Sequence, residues 1–148
     1  MPPKYSLQEI ERRWEVDPSK LPPLEGVDSW LIEDRYLQGS RLRLRKMRRD
    51  GSEPVYKFCK KYGPDGEFSE PITNLYLSDA EYKLLAEIPA DVVVKRRYAL
   101  SGGSLDVEQQ PIQGRLRFEV EFESEEEARS YIPPDFVGQE VPRSKVES

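Results

Sequence analysis

The sequence contains no histidine and only one cysteine, Cys59. The absence of histidine excludes catalytic triads with an imidazole base and zinc sites with histidine ligands. A single cysteine excludes an internal disulfide framework and is typical of a reducing compartment, so we expect a cytoplasmic protein. Nothing near Cys59 indicates an activated thiol, and we expect it to be a small buried apolar residue. Any chemistry must therefore come from carboxylates, lysine, arginine, hydroxyl groups or a hard metal ion.

Long hydrophobic stretches are also missing. No apolar run approaches the roughly 20 residues that a membrane span needs, and the first residues lack the apolar segment of a secretion signal. The formal net charge of -5 argues against a general nucleic-acid-binding domain, which is usually basic. We therefore expect neither a membrane nor a nucleic acid as partner, and we expect a monomer or a homodimer.

Charge, by contrast, is abundant. Charged residues make up 34% of the 148 residues, compared with roughly 25% in an average globular protein. The length is that of one domain, and we expect residues 1–148 to form a single domain. A hydrophobic core must coexist with this charge, so the placement of the charged residues is the informative feature.

Apolar and polar residues alternate with period two through most of the chain, which predicts β-strands. The predicted strands cover residues 7–16, 30–38, 41–48, 55–62, 72–77, 92–100, 105–108 and 115–122. Two capping boxes, Ser78 to Glu81 and Ser124 to Glu127, predict short helices, the second of them through Tyr131. Eight strands and two helices in one short chain predict a mainly β (α+β) fold, an eight-stranded antiparallel barrel or tunnel with flanking helices.

The charged residues share one face of these strands, because residues two apart in a strand point the same way. The sets are Glu9, Glu11 and Arg13; Arg41, Arg43 and Arg45; Lys95 and Arg97; Asp106; and Arg115, Arg117, Glu119 and Glu121. Such a face can simply contact water, as it often does in antiparallel sheets. If the sheet instead closes with these faces inward, the interior is a charged tunnel and the apolar faces pack outward against the helices. Carboxylates in such a tunnel suit Mg²⁺ or Mn²⁺, and the bases suit a chain of phosphates.

Seven sequence elements occur in the order in which a known family has them. Glu9-Ile10-Glu11-Arg12-Arg13 resembles the Glu-x-Glu-x-Lys signature of the CYTH superfamily, the triphosphate tunnel metalloenzymes. The other elements are Arg43-Leu44-Arg45, Lys60, Lys95-Arg96-Arg97-Tyr98, Asp106, Glu119-Val120-Glu121-Phe122 and Gly138-Gln139-Glu140-Val141. One motif alone would be weak support, whereas seven elements in register over nearly the whole chain strongly indicate the fold.

The resemblance implies a tunnel of eight antiparallel strands that processes triphosphates with a divalent metal ion, Mg²⁺ or Mn²⁺. By this resemblance the metal ligands would be Glu9, Glu11, Asp106, Glu119 and Glu121. The substrate-binding bases would be Arg43, Arg45, Lys60, Lys95 and Arg97, and the catalytic residues would be Arg13 and Lys60. The choice of Lys60 depends on the family alignment alone, because the alternation of the strand places Lys60 on the same face as Tyr56 and Phe58.

The sequence also departs from the family pattern. Arg13 replaces a lysine, which keeps the charge but not the compact ammonium group. Residues 70–74 replace a strand with an Arg-x-Glu-x-Glu pattern, so Ile72 and Asn74 remove two expected acids from the tunnel. Glu108 stands where an aromatic residue is usual. These changes make the tunnel more basic than the family pattern implies.

Two further departures concern the last strand and the end of the sequence. Arg115 and Arg117 occupy positions that are apolar in the family, where they either cap one end of the tunnel or pair with Glu119 and Glu121. After Val141 the sequence does not resemble the family's final helix, so we expect that helix to be missing.

Two functions fit these observations. The first is a divalent-metal-dependent triphosphatase, a hydrolase of acid anhydrides that acts on inorganic triphosphate or a related organic triphosphate. The alternative is a catalytically weak module that binds phosphate, polyphosphate or a nucleotide in the same tunnel. A nucleotide cyclase ranks third, because no base-reading segment can be identified in the sequence.

Overall fold

A computed structural model describes residues 1–143. The elements are β1 (Leu7–Val16), β2 (Ser29–Leu37), β3 (Leu42–Arg48), β4 (Val55–Lys61), β5 (Ser69–Leu77), α1 (Asp79–Leu85), β6 (Ala90–Leu100), β7 (Gly103–Gln110), β8 (Leu116–Phe122), α2 (Glu125–Ser130) and β9 (Val137–Val141). A single 3-10 turn, Pro18–Lys20, follows β1. None of the described helices is long and apolar enough to cross a membrane.

Strands β1 to β8 form a closed antiparallel barrel, as predicted. The strand order is β5-β4-β3-β2-β6-β7-β8-β1, and β1 closes the barrel by pairing with β5. The closing register runs from Leu7 opposite Ile72 to Ile10 opposite Ser69. Strand β5 thus begins earlier than its alternation predicts, because its first residues pair with β1.

Strand β9 is an addition that the sequence pattern did not predict. It pairs with the second half of β1, with Arg13 opposite Val141, along the edge that β5 leaves unpaired. The segment that resembles the lead-in to a final helix is therefore a strand in this protein. The expectation that no helix follows Val141 falls largely on residues 144–148, which lie outside the described residues.

The hydrophobic core lies outside the barrel wall rather than inside it. Trp14, Phe118 and Phe122 point outward from β1 and β8, and α2 covers them with Ala128. Phe136, in the segment before β9, packs edge-on against Phe118 with ring centroids 5.1 Å apart. Burying side chains of this size contributes about 1.5–3 kcal/mol each. The outward-facing apolar residues thus stabilise the barrel and leave most of its interior to charged residues, with Ile32, Tyr36 and Ile72 as apolar exceptions.

The two helices begin where their capping residues predict. Ser78 accepts a hydrogen bond from the Glu81 N–H at 3.2 Å, and the Glu81 carboxylate accepts one from the Ser78 N–H at 2.8 Å. Ser124 accepts from the Glu127 N–H at 3.1 Å, and Tyr131 ends α2 as its C-cap. These bonds satisfy N–H groups that lack partners in the first turn of a helix.

Candidate functional site

The interior of the barrel contains nearly all of the residues that the sequence selected. Directly paired residues of neighbouring strands lie on the same face of a sheet, and the register pairs Glu11 with Glu121 and Arg13 with Glu119. The sequence-selected residues that line interior cavities are Glu9, Glu11, Arg13, Arg43, Arg45, Lys95, Arg97, Asp106, Glu119 and Glu121. Seven of these line one cavity of about 350 Å³. Acids and bases therefore share one enclosed space.

Three carboxylates form a compact group on β1 and β8. One oxygen each of Glu9, Glu11 and Glu121 lies within 4.8 Å of the other two. Burial raises the pKa of Glu11 well above its ordinary value, and the carboxylates of Glu119 and Glu9 raise it further. Burial and Glu9 also raise the pKa of Glu121. A divalent cation would relieve this repulsion, and carboxylate oxygens are the ligands that Mg²⁺ and Mn²⁺ prefer. The donor set therefore fits such an ion.

Glu119 lies between the carboxylate group and the bases. Burial would raise its pKa, but Arg97 and Lys95 outweigh burial and lower the pKa of Glu119 to about 2. The Arg97 Nη2 donates to the Glu119 carboxylate at 3.4 Å. The interaction between Glu11 and Glu119 raises the pKa of Glu11 and lowers that of Glu119.

Asp106 is held by bases rather than by other acids. Arg97 donates to both of its carboxylate oxygens, at 2.7 and 2.9 Å, and the Lys95 Nζ lies 3.1 Å away. Asp106 is 4% exposed and lies outside the group of Glu9, Glu11 and Glu121. Its carboxylate thus fixes the position of Arg97, and its role as a metal ligand stays a prediction.

Asp34 on β2 has the same arrangement, and it was not predicted from the sequence. Arg45 donates to both oxygens of this carboxylate at 2.7 and 2.9 Å, and Lys95 and Arg43 lie at 3.9 and 4.0 Å. Burial would raise the pKa of Asp34, but the charge of Arg45 and its hydrogen bonds lower it well below its ordinary value. The sequence does contain a signal for Asp34, because it lies two residues after the apolar Ile32 in β2 and therefore faces the same buried side.

The prediction that Lys60 lies in the tunnel is wrong. Its side chain is exposed on the outer surface, with the Nζ 5.1 Å from the centre of the Tyr62 ring. Lys61 lies inside instead, 1% exposed, with its Nζ 3.6 Å from the Glu9 carboxylate. The alternation of β4 selects Lys61, since it shares a face with Cys59, which pairs with Arg43. The family alignment had overridden that alternation.

Cys59 is buried, as expected, and burial raises the pKa of its thiol. A thiol with a raised pKa carries little thiolate at neutral pH and is a poor nucleophile. Cys59 is therefore a packing residue between Lys61 and the bases of β3.

The far end of the tunnel is rich in arginine. Arg115 donates to the buried carboxylate of Glu108 at 2.9 Å from its Nε. Arg115, Arg117 and Arg13 line a small cavity of about 30 Å³ at this end. For Arg115 the geometry favours the cap, because its partner is Glu108 rather than Glu119 or Glu121.

Strand β5 places an apolar and an amide side chain on the cavity wall where the family pattern has two acids. Ile72 and Asn74 line the 350 Å³ cavity in the places of two expected acids. Glu70, which pairs with Glu9 across the strands, is fully buried. It accepts hydrogen bonds from the Gly63 N–H at 2.9 Å and from Arg143 at 2.8 Å. Neither Glu70 nor Arg143 was selected from the sequence, because nothing local in the sequence joins them.

No protein-family model and no curated protein matches the chain. Among solved structures, the inorganic triphosphatase NE1496 is 25% identical with a TM-score of 0.55, over 93% of this chain and 88% of that chain. A second structure of NE1496, described as a hypothetical protein, gives a TM-score of 0.56 at the same identity. The PH1819 protein from Pyrococcus horikoshii OT3 is 18% identical with a TM-score of 0.55, over 92% of both chains, and shares the fold.

The closed antiparallel barrel with acids and bases on its inner wall defines the class of tunnel proteins to which NE1496 belongs. This likeness agrees with the sequence elements along the barrel that resemble the CYTH superfamily, the triphosphate tunnel metalloenzymes.

Proposed function

We propose that this protein is a divalent-metal-dependent triphosphatase whose substrate is inorganic triphosphate or a related organic triphosphate. The observation that carries the proposal is the 350 Å³ cavity in which a carboxylate group and a set of bases face each other. The inorganic triphosphatase NE1496, at 25% identity, supports the same chemistry.

The bases of the tunnel would bind and orient the phosphate chain. Arg45 and Arg97 each donate two hydrogen bonds to a buried aspartate, so little side-chain entropy is lost when a ligand binds. Arg43, Lys61 and Lys95 add positive charge on the same walls. A guanidinium group matches a phosphate with two parallel hydrogen bonds. The bases would thus offset the negative charge of the substrate along its length.

The group of Glu9, Glu11 and Glu121 would hold Mg²⁺ or Mn²⁺. When bound, such an ion polarises a phosphoryl oxygen and lowers the cost of charge that develops during hydrolysis. Water would attack the terminal phosphorus, and the bond to the bridging oxygen would break to release orthophosphate. Arg13 lies opposite Glu119, and because a guanidinium group offers only donors, it would orient groups rather than accept a proton.

We further propose that turnover is slow and ground-state binding is tight. Ile72 and Asn74 remove two acids from the cavity, and Arg115 and Arg117 add bases at one end. Extra bases favour a polyanion in the ground state, but uniform binding does not raise the rate of the chemical step. Placement of water and metal to within a fraction of an ångström depends on the acids. If turnover is lost altogether and binding remains, the protein is the alternative, a binding module.

The test is phosphate release from tripolyphosphate, ATP and thiamine triphosphate with Mg²⁺ or Mn²⁺, measured beside thermal shifts with the same ligands. We expect binding below millimolar concentration and metal-dependent turnover below the roughly 10 s⁻¹ median of enzymes. Glu121→Gln should abolish the turnover, and Glu126→Gln, on the exposed face of α2, should leave it unchanged. Thermal shifts without any phosphate release would favour the binding module. Absence of both would overturn the proposal.

A further inference from the structure

Arg143 enters the barrel wall at the point where β1 changes its partner strand. Strand β5 pairs with β1 only as far as Ile10, and β9 takes over the same edge at Arg13. The chain that leaves β9 therefore lies beside the start of β5. This path brings Arg143 to the first residues of β5 and to the acids that face them across β1.

The guanidinium of Arg143 makes three hydrogen bonds at this point. Its Nη1 donates to Glu70 at 2.8 Å and to Glu9 at 3.3 Å, and its Nη2 donates to the Phe68 carbonyl at 2.8 Å. The side chain of Arg143 is 14% exposed, that of Glu9 is 12% exposed and that of Glu70 is fully buried. This is a specific charge-assisted contact rather than a surface ion pair.

Without Arg143, the paired carboxylates of Glu9 and Glu70 would lie side by side on the inner face with one charge fewer to offset them. Buried carboxylates in such a pair are stable only with a cation or a proton between them. Other bases lie near the pair at longer distances, among them Lys61 at 3.6 Å from Glu9 and Arg41 at 3.9 Å from Glu70. Arg143 is thus the base that contacts both acids of the pair.

Glu9 also belongs to the group of three carboxylates with Glu11 and Glu121. We propose that Arg143 is a tethered cation that occupies the Glu9–Glu70 pair and competes with the divalent ion for Glu9. This inference rests on the proposed function only in assuming that the carboxylate group binds a metal ion. The contact would then set how tightly the carboxylate group binds a divalent ion, because Glu9 is shared between the ion and Arg143.

The decisive measurement is the affinity for Mn²⁺, by calorimetry, in wild type and in Arg143→Gln without substrate. Loss of a unit charge beside the site should raise the affinity about tenfold. Arg143→Lys keeps the charge and should stay close to wild type. Arg129→Gln removes the same charge from the exposed face of α2, where Arg129 pairs with Glu67, and should change nothing. Unchanged or weaker Mn²⁺ binding in a folded Arg143→Gln protein would overturn the inference.

A second measurement uses the wild-type protein and covers the case in which Arg143→Gln does not fold. Nitrogen-15 NMR of the arginine side chains should show the Arg143 Nη–H signals changing as Mg²⁺ is added, because the hydrogen bond to Glu9 is lost while those to Glu70 and the Phe68 carbonyl remain. Arg143 Nη–H signals unchanged at saturating Mg²⁺ would contradict the competition. If neither wild type nor variant binds any divalent ion, the proposed function fails and this inference with it. Equal affinity in both overturns this inference alone.

Discussion

The carboxylates on the two walls of the tunnel have different neighbours. On the wall of β2, β3, β6 and β7, Asp34 and Asp106 each accept two hydrogen bonds from one arginine. On the wall of β1 and β8, Glu11 and Glu121 face each other and other acids. The pKa directions of Asp34 and Glu11 follow this division, since bases outweigh burial and lower the pKa of Asp34, while burial and neighbouring acids raise that of Glu11. Glu9 and Glu119 depart from it, because nearby bases outweigh burial and lower their pKa values.

This difference separates two roles that the sequence pattern cannot distinguish. A carboxylate that accepts two hydrogen bonds from one arginine positions that arginine for an anionic ligand. Removing the carboxylate leaves the buried charge of the arginine without a partner. An acid surrounded by acids carries a repulsion that a bound cation relieves. The first kind of acid should matter most for stability, and the second kind for metal binding.

The largest effect should come from Asp34→Asn. This substitution leaves the buried Arg45 without its carboxylate, and breaking a buried ion pair in this way typically costs about 3–5 kcal/mol. Urea unfolding at neutral pH measures the free energy directly. Glu33→Gln, one residue away on the outer face of β2, is the matched control and should change the stability by less than about 0.5 kcal/mol. A loss below about 1 kcal/mol for Asp34→Asn would contradict the positioning role.

The double variant Glu11→Gln with Glu121→Gln should have the opposite profile. Its metal-free stability should equal or exceed that of wild type, because two mutually repelling acids are gone. Wild type at a Mg²⁺ concentration about 100 times the Kd should gain about 2.7 kcal/mol, and the double variant should gain nothing. Thermal unfolding with Mg²⁺ and with EDTA measures both effects. A double variant that keeps the Mg²⁺ stabilisation would show that the ion binds elsewhere.

The pH dependence of the Asp34 contribution should distinguish the walls further. Burial would raise the pKa of Asp34, but Arg45 lowers it below the ordinary value of 3.8. The stability that Asp34 contributes is therefore fully present above pH 3.8 and is lost as the pH falls toward the folded pKa.

The free-energy gap between wild type and Asp34→Asn should accordingly be constant at higher pH and shrink below pH 3.8 by about 1.4 kcal/mol per pH unit. Urea unfolding of both proteins at a series of acidic pH values gives this gap. A gap that widens on acidification would mean that Asp34 is protonated in the folded protein.

Part of this division could have been predicted from the sequence. Asp34 pairs directly with Arg45, and Arg97 with Asp106, across two hairpins with short turns. Short turns fix the register, so these partners follow from counting residues back from the turn. The alternation and the in-order motifs likewise sufficed for the closed barrel and for the carboxylates of β1 and β8.

The remaining contacts depend on packing between distant segments. Arg143 meets Glu9 and Glu70 only because β9 follows β5 along one edge of β1. No spacing in the sequence predicts that arrangement, and residues 138–141, which form part of β9, resemble the segment before a helix. The prediction for Lys60 was wrong for another reason, since the family motif and the alternation of β4 indicate different lysines and the alternation gives the inner one.

The smallest expected effect tests that last correction. Lys61→Met removes the inward charge 3.6 Å from Glu9 and keeps the apolar stem, whereas Lys60→Met removes a charge from the outer face. An interaction with a charged group contributes about 1.5–3 kcal/mol, so tripolyphosphate should bind Lys61→Met at least about tenfold more weakly. Lys60→Met should bind it within about twofold of wild type. Calorimetry in metal-free buffer separates this effect from any change in metal affinity. The reverse order of the two variants would restore Lys60 to the tunnel and contradict the register of β3 and β4, because residues one apart in a strand cannot face the same side.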